Sequence, residues 1–184
     1  MAEFRLETLR LALRSWRADD VMAFHAICSD PKVMATLGPV MSLEQTEALV
    51  GRAQALEAEH GHTFWALERR EDVRLIGWCG VIRGNTGPVD GKAEIGWRLA
   101  SDCWGNGYAS EAARATVDWA FAHLPDDALH AITSVENTRS RAVMERLGMR
   151  YLPERDFGHP RIDPADPLYR HVTYRLGREE WREA

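Results

Sequence analysis

The chain contains no apolar run near the ~20 residues that a membrane-spanning helix requires, so no membrane partner is expected. It has three cysteines, Cys28, Cys79 and Cys103. An odd, sparse set with no paired spacing excludes a disulfide framework and points to reduced thiols in a cytoplasmic protein. The seven histidines show no metal-ligand spacing, so no metal is expected. Positive charge is not in excess: 23 Lys and Arg face 28 Asp and Glu, a net charge of −5. That balance argues against a nucleic-acid partner and favours a cationic substrate. The first ten residues carry Glu3, Arg5, Glu7 and Arg10 without an apolar stretch, unlike a signal peptide. No repeat, low-complexity tract or linker divides the 184 residues, so a single domain over 1–184 is expected, as a monomer or homodimer.

Hydrophobic residues make up 45% of the chain and charged residues 28%, a globular profile. Leu9, Leu11 and Leu13 alternate with Arg10, Ala12 and Arg14, predicting an opening strand over 9–16. Asp19 and Asp20 start a helix with Val21, Phe24 and Ile27 on its apolar face, stopped near Pro31. Ser42 and Gln45 have capping-box spacing and begin a second helix, with Leu49, Ala53 and Leu56 on one face, that ends by Gly61. Strands follow over 62–68 and 74–83, then a loop of turn formers over 84–91 and a strand over 93–99. A long helix is predicted over 108–123, a strand over 129–135, and a helix over 137–147 closed by Gly148. Two last strands are expected over 149–157 and 169–176, separated by a loop with Pro160, Pro164 and Pro167. The order β-α-α-β-β-β-α-β-α-β-β predicts an α/β fold, a mixed sheet with helices on both faces.

The stretch Trp104-Gly105-Asn106-Gly107-Tyr108-Ala109-Ser110-Glu111 joins a strand to the long helix. Gly105 and Gly107 leave their backbone N–H groups open to an anion. The helix start adds unpaired N–H donors and the positive end of its dipole. Ala109 keeps the first turn uncrowded. Such a junction suits a pyrophosphate, and equally it is a plain glycine turn before a helix. It lacks the Gly-Lys-Ser/Thr of a Walker A loop, and Ser110 stands where a dinucleotide fingerprint needs a third glycine. Farther on, Asn137 is placed to cap the helix it begins, and Ser140 offers a hydroxyl in its first turn.

Taken in order, these pieces resemble the GNAT superfamily of N-acetyltransferases, and within it the branch of the ribosomal-protein N-terminal acetyltransferases. The likeness runs from Thr8–Arg14 and Trp16–Asp20 through Leu75–Gly77, Glu94–Trp97 and Trp104–Ala112 to Asn137–Gly148 and His171–Tyr174. It implies a mostly antiparallel GNAT-type sheet and acetyl-coenzyme A as cosubstrate. It implies that backbone N–H groups from Gly105 to Ser110 hold the pyrophosphate. Trp97 and Leu99 would lie beside the pantetheine arm, with a backbone N–H near Leu99 polarising the thioester carbonyl. Asn137 and Ser140 match positions that touch the arm and the sulfur. Two departures stand out. Trp104 occupies a place where relatives usually carry Arg or Gln. Met144 occupies the place of a tyrosine general acid, which leaves Ser140 as the protein group best placed to protonate the thiolate. Glu94, on the strand expected to border the thioester, is the candidate general base; it also reads as a solvated carboxylate or a partner of Arg98. Cys103 beside the loop reads as a free thiol, Arg69-Arg70 as a solvated turn, and the seven tryptophans as core and pocket walls. The acceptor implied is a protein N-terminal α-amine. A small cationic amine such as an aminoglycoside or polyamine, or a non-catalytic acyl-coenzyme A-binding module, are the alternatives.

Overall fold

The computed structural model describes residues 3–182; the outermost residues of the single domain expected over 1–184 lie outside them. The chain opens with β1 (Arg5–Glu7) and β2 (Leu11–Arg14). Helices α1 (Asp20–Cys28), α2 (Pro31–Met34) and α3 (Leu43–His60) follow. Next come β3 (Phe64–Arg69), β4 (Arg74–Arg83) and β5 (Ala93–Leu99), then α4 (Tyr108–His123). β6 (Ala128–Ser134), α5 (Thr138–Arg146), β7 (Arg150–Tyr151), β8 (Phe157–Gly158), β9 (Arg170–Gly177) and α6 (Arg178–Arg182) complete the chain. One sheet runs β1-β2-β3-β4-β5-β6-β9-β7, with β8 also on β9. Every pairing is antiparallel except β5 with β6. The expected mixed sheet is therefore present.

Alternate residues of β4 show that both faces are covered. Trp78 packs on Phe24 of α1 at a 5.1 Å ring separation. Its neighbour Cys79 points the other way, with Sγ 3.5 Å from Thr116 Oγ1 of α4. Ala112, Ala113, Val117 and Ala120 bury the inner stripe of α4, and their small side chains let the helix lie close to the sheet. Ser42 and Gln45 form the capping box of α3 as predicted.

Five features differ from expectation. The strand expected over 9–16 is a hairpin: Leu9 is 87% exposed at the turn between β1 and β2, closed by the Thr8 N–H on the Leu11 carbonyl. In β2 the alternation fails because Arg14 is buried beside Leu13, paired with Asp20 and Glu68. Pro31 does not merely stop a helix; it is the first residue of α2, where its missing N–H costs nothing, and Asp30 caps it. The strand expected over 149–157 is two short pieces, because Pro153 has no N–H for the ladder and starts a 3₁₀ turn. Finally, α6 follows β9 without an expected counterpart.

The parallel pair positions the site. Register between β5 and β6 is held at one place, Glu94 opposite His130. Beyond it β6 pairs with β9 alone, so the two strands part like a wedge whose closed end is at Glu94.

Candidate active site

The open side of the wedge exposes backbone of β5. Ala100 N–H donates to the Ile76 carbonyl, which makes the even-numbered residues of β5 the hydrogen-bonded partners of β4. The N–H groups of Trp97 and Leu99 then point away from β4, into the gap that β6 leaves. A strand edge of this kind accepts an extended polar chain as a further strand.

At the end of β5 the chain turns into α4 through two left-handed residues, Gly105 (φ 79°) and Gly107 (φ 77°). Glycine takes that conformation without the strain a Cβ would bring. Gly107 is the N-cap, and its carbonyl receives the first helical bond, from Glu111 N–H. The N–H groups of Tyr108, Ala109 and Ser110 thus have no helical partner, at the positive end of the helix dipole. Among the described residues no side chain caps this end. The loop is held from the β1–β2 turn instead. Arg10 Nε donates to Glu111 Oε2 at 2.7 Å and Nη1 to the Asn106 carbonyl at 2.9 Å, while the guanidinium lies over the Tyr108 ring. Thr8 Oγ1 donates to Glu111 Oε1 at 2.6 Å.

A cavity of about 750 Å³ joins the wedge to this helix start. Of the predicted residues, Trp97, Leu99, Trp104, Gly105, Gly107, Tyr108, Ala109, Ser110, Asn137 and Ser140 line it. Asn106 does not: its side chain folds back to donate to the Cys103 and Trp104 carbonyls. Glu94 lies outside it as well, at the closed end of the wedge, roughly 10 Å along the strand from Trp97. Burial pushes the Glu94 carboxyl up to about 7. Asn137 caps α5 as expected, with Oδ1 accepting from Ser140 N–H at 3.2 Å. Among the described residues the Ser140 hydroxyl makes no hydrogen bond, so it is free to donate. Met144, one turn on, is buried. Trp104 turns its indole N–H onto the Leu99 carbonyl at 3.0 Å, and Arg139 stacks on its ring at 4.4 Å. Arg139 and Arg146 bring positive charge to the cavity in place of the basic residue that Trp104 displaces. Burial raises the Cys103 thiol above its ordinary range, so it stays neutral.

Several contributors had no local signature in the sequence. Arg10 and Thr8 meet Glu111 from about a hundred positions away, and Val33, Thr36 and Leu37 wall the cavity from α2 and the turn after it. Arg98 also faces the cavity and makes no ion pair with Glu94 among the described residues.

A mostly antiparallel sheet that opens beside the start of a glycine-led helix is the architecture of an acyl-group transferase. The chain belongs to the GNAT acetyltransferases: the family model described as "Acetyltransferase (GNAT) domain" matches residues 10–150. It is an acetyl-coenzyme A-dependent N-acetyltransferase. It is 31% identical over 153 residues to the uncharacterized protein YkkB of Bacillus subtilis (strain 168), covering 82% of this chain and 87% of that one. It is similar to the crystal structure of the acetyltransferase from Agrobacterium tumefaciens str. C58, with 29% identity, a TM-score of 0.78, and coverage of 97% and 96%. A shorter stretch of 71 residues is 38% identical to the putative ribosomal N-acetyltransferase YdaF of Bacillus subtilis (strain 168), covering 38% of this chain and 39% of that one.

Proposed function

We propose that the chain transfers the acetyl group to an α-amine at a protein N-terminus. The observation that supports a coenzyme A thioester as donor is the continuity of one cavity with both the unpaired β5 N–H groups and the N–H donors of α4, and the position of Glu94 off that cavity supports an easily deprotonated acceptor. The residues suit the cosubstrate: the α4 start and Arg139 would take its phosphates, and the edge of β5 at Trp97 and Leu99 would take the pantetheine arm. Acetyl-coenzyme A supplies the acyl group as a thioester that a neutral amine attacks directly. The Leu99 N–H polarises the carbonyl oxygen, which is where charge develops. Ser140 gives its proton to the leaving sulfur. Glu94 receives the amine proton through water, since its side chain lies off the cavity; a carboxyl near 7 suits a base working at neutral pH.

A single base reached through water favours an easily deprotonated amine. At pH 7 freeing an α-amine, pKa ~7.7–8.0, costs roughly 1 kcal/mol, whereas a lysine amine, pKa ~10.4, costs roughly 4–5 kcal/mol. The likeness to a putative ribosomal N-acetyltransferase supports the same acceptor. The test is thiol release from acetyl-coenzyme A with a short peptide bearing a free N-terminus, against the same peptide N-blocked and carrying lysine. The free N-terminus should react faster. Faster reaction of the blocked lysine peptide contradicts the proposal, and turnover of only a polyamine or an aminoglycoside replaces it with the small-amine reading.

A further inference from the structure

β5 carries a charge that the reaction outlined above does not use. Arg98 stands opposite Trp78 on the sheet face covered by α1, the face away from Trp97 and Leu99. Its guanidinium carbon lies 5.1 Å from the Trp78 ring centre. Nη1 approaches Cys28 Sγ at 3.1 Å and Met41 Sδ at 3.7 Å. Nε is buried and has no hydrogen-bond partner among the described residues. Among the described residues no carboxylate pairs with this arginine. Glu94, on the same face, feels burial and no cation. Burial raises the Cys28 thiol, which is therefore neutral and offers no countercharge.

A guanidinium cannot shed its proton to escape such a place. Sulfur and aromatic neighbours compensate its desolvation poorly, and a part-buried charge with no anion beside it has given up water without gaining a countercharge. Arg98 lines the same cavity as the α4 start, and Val33, Thr36 and Leu37 wall that cavity from α2 and the turn after it. The missing anion is not a phosphate of the donor, because those groups have their own donors at α4, whereas Arg98 projects to the opposite face of β5. On the proposed reaction, the second substrate is the group left to bring an anion to that face.

We infer that the amine acceptor carries a carboxylate near its reacting amine, and that Arg98 receives it. The inference rests on the acetyl-transfer reading above and specifies the chemistry of its α-amine acceptor. The carboxylate has two sources: an Asp or Glu side chain at the first positions of a peptide, or the α-carboxylate of a free amino acid. The reaction itself is unchanged; the amine nitrogen gains the acetyl group, the sulfur gains a proton, and the carboxylate only orients the acceptor.

The experiment compares kcat/KM with acetyl-coenzyme A for peptides beginning with Glu or Gln, and for free glutamine against its α-amide. The proteins are the native chain, Arg98→Gln and Arg98→Lys. The native chain should favour the acid over its neutral isostere by roughly tenfold to a hundredfold, the range of a charge-assisted hydrogen bond. That ratio should fall to about one in Arg98→Gln and be partly retained in Arg98→Lys. Preference within the peptide pair assigns a side-chain carboxylate, and preference within the amino-acid pair assigns the α-carboxylate. A merely structural arginine would slow both members of a pair alike, and that result overturns the inference. So does a preference that attaches to succinyl-coenzyme A over acetyl-coenzyme A and disappears with Arg98→Gln. Should no amine in the panel react, the acceptor reading fails. Arg98 is then judged by calorimetry with glutarate on protein saturated with acetyl-coenzyme A. Binding lost in Arg98→Gln sustains the anion site, and equal or absent binding removes it.

Discussion

The roles proposed for Glu94 and Ser140 follow from what surrounds each side chain. Glu94 is held near 7 by burial, against an ordinary value of 4.5. Its folded-state pKa is raised, so the folded chain binds the extra proton, and stability falls as pH rises from about 4.5 through 7. Glu94→Gln should therefore be more stable than the native chain above pH 7, by up to about 3 kcal/mol, in urea denaturation at several pH values. The same variant should lose the rise of kcat through pH 7. Near neutrality it should be slow, and at high pH, where free amine is abundant, nearly native. A kcat profile that keeps its inflection near 7 would remove Glu94 from the proton path. Ser140 is the complementary case. Its N–H is taken by Asn137, and its hydroxyl makes no hydrogen bond among the described residues. A donor to a developing thiolate acts in the transition state, so Ser140→Ala should lower kcat more than it raises the KM for acetyl-coenzyme A. If only KM changes, Ser140 positions the donor and water supplies the proton.

At the scale of elements, legibility follows the range of the interaction that fixes each one. The long helix over 108–123 and the strand over 93–99 match α4 and β5 to the residue, because their apolar periodicity is local. The capping box of α3 is likewise written in four adjacent residues. The hairpin at the start is not: Leu9 looks like one more inward leucine, and only the pairing of Arg5 with Arg14 places it at a turn. Arg14 looked outward for the same reason. Its burial depends on Asp20 at 2.7 and 2.8 Å and on Glu68, 54 positions away. These contacts tie β2 to α1 and β3, and removing the arginine leaves two buried carboxylates without the cation they share. Arg14→Leu should therefore cost about 3–5 kcal/mol of stability, read as a shift of the urea midpoint, while a loss under ~1 kcal/mol would mean that the cluster behaves like an exposed pair. The wedge was the least legible feature of the site. It follows from β5 and β6 losing register after a single pair, which no local pattern encodes. The glycine junction was legible in adjacent residues as an uncrowded helix start; what holds it, Arg10 and Thr8 from the first hairpin, was not.

For the whole molecule, the order of the sheet explains why cavity and helix start coincide. β5 is the last strand in the antiparallel run from β1, and β6 begins the second run with β9 and β7. The seam between the two runs is where backbone donors face a cavity instead of a partner strand. α4 leaves β5 at that seam, and the hairpin of β1 and β2 clamps its first turn through Glu111. The central claim is that this seam and helix start hold acetyl-coenzyme A. Calorimetric titration of acetyl-coenzyme A into the native chain and into Gly107→Asp tests it most directly. Asp at 107 would take a left-handed conformation that carries a strain cost and would set a carboxylate against the phosphates. The native chain should bind, and the variant, shown to be folded by circular dichroism, should not. Unchanged affinity in the folded variant would contradict the account.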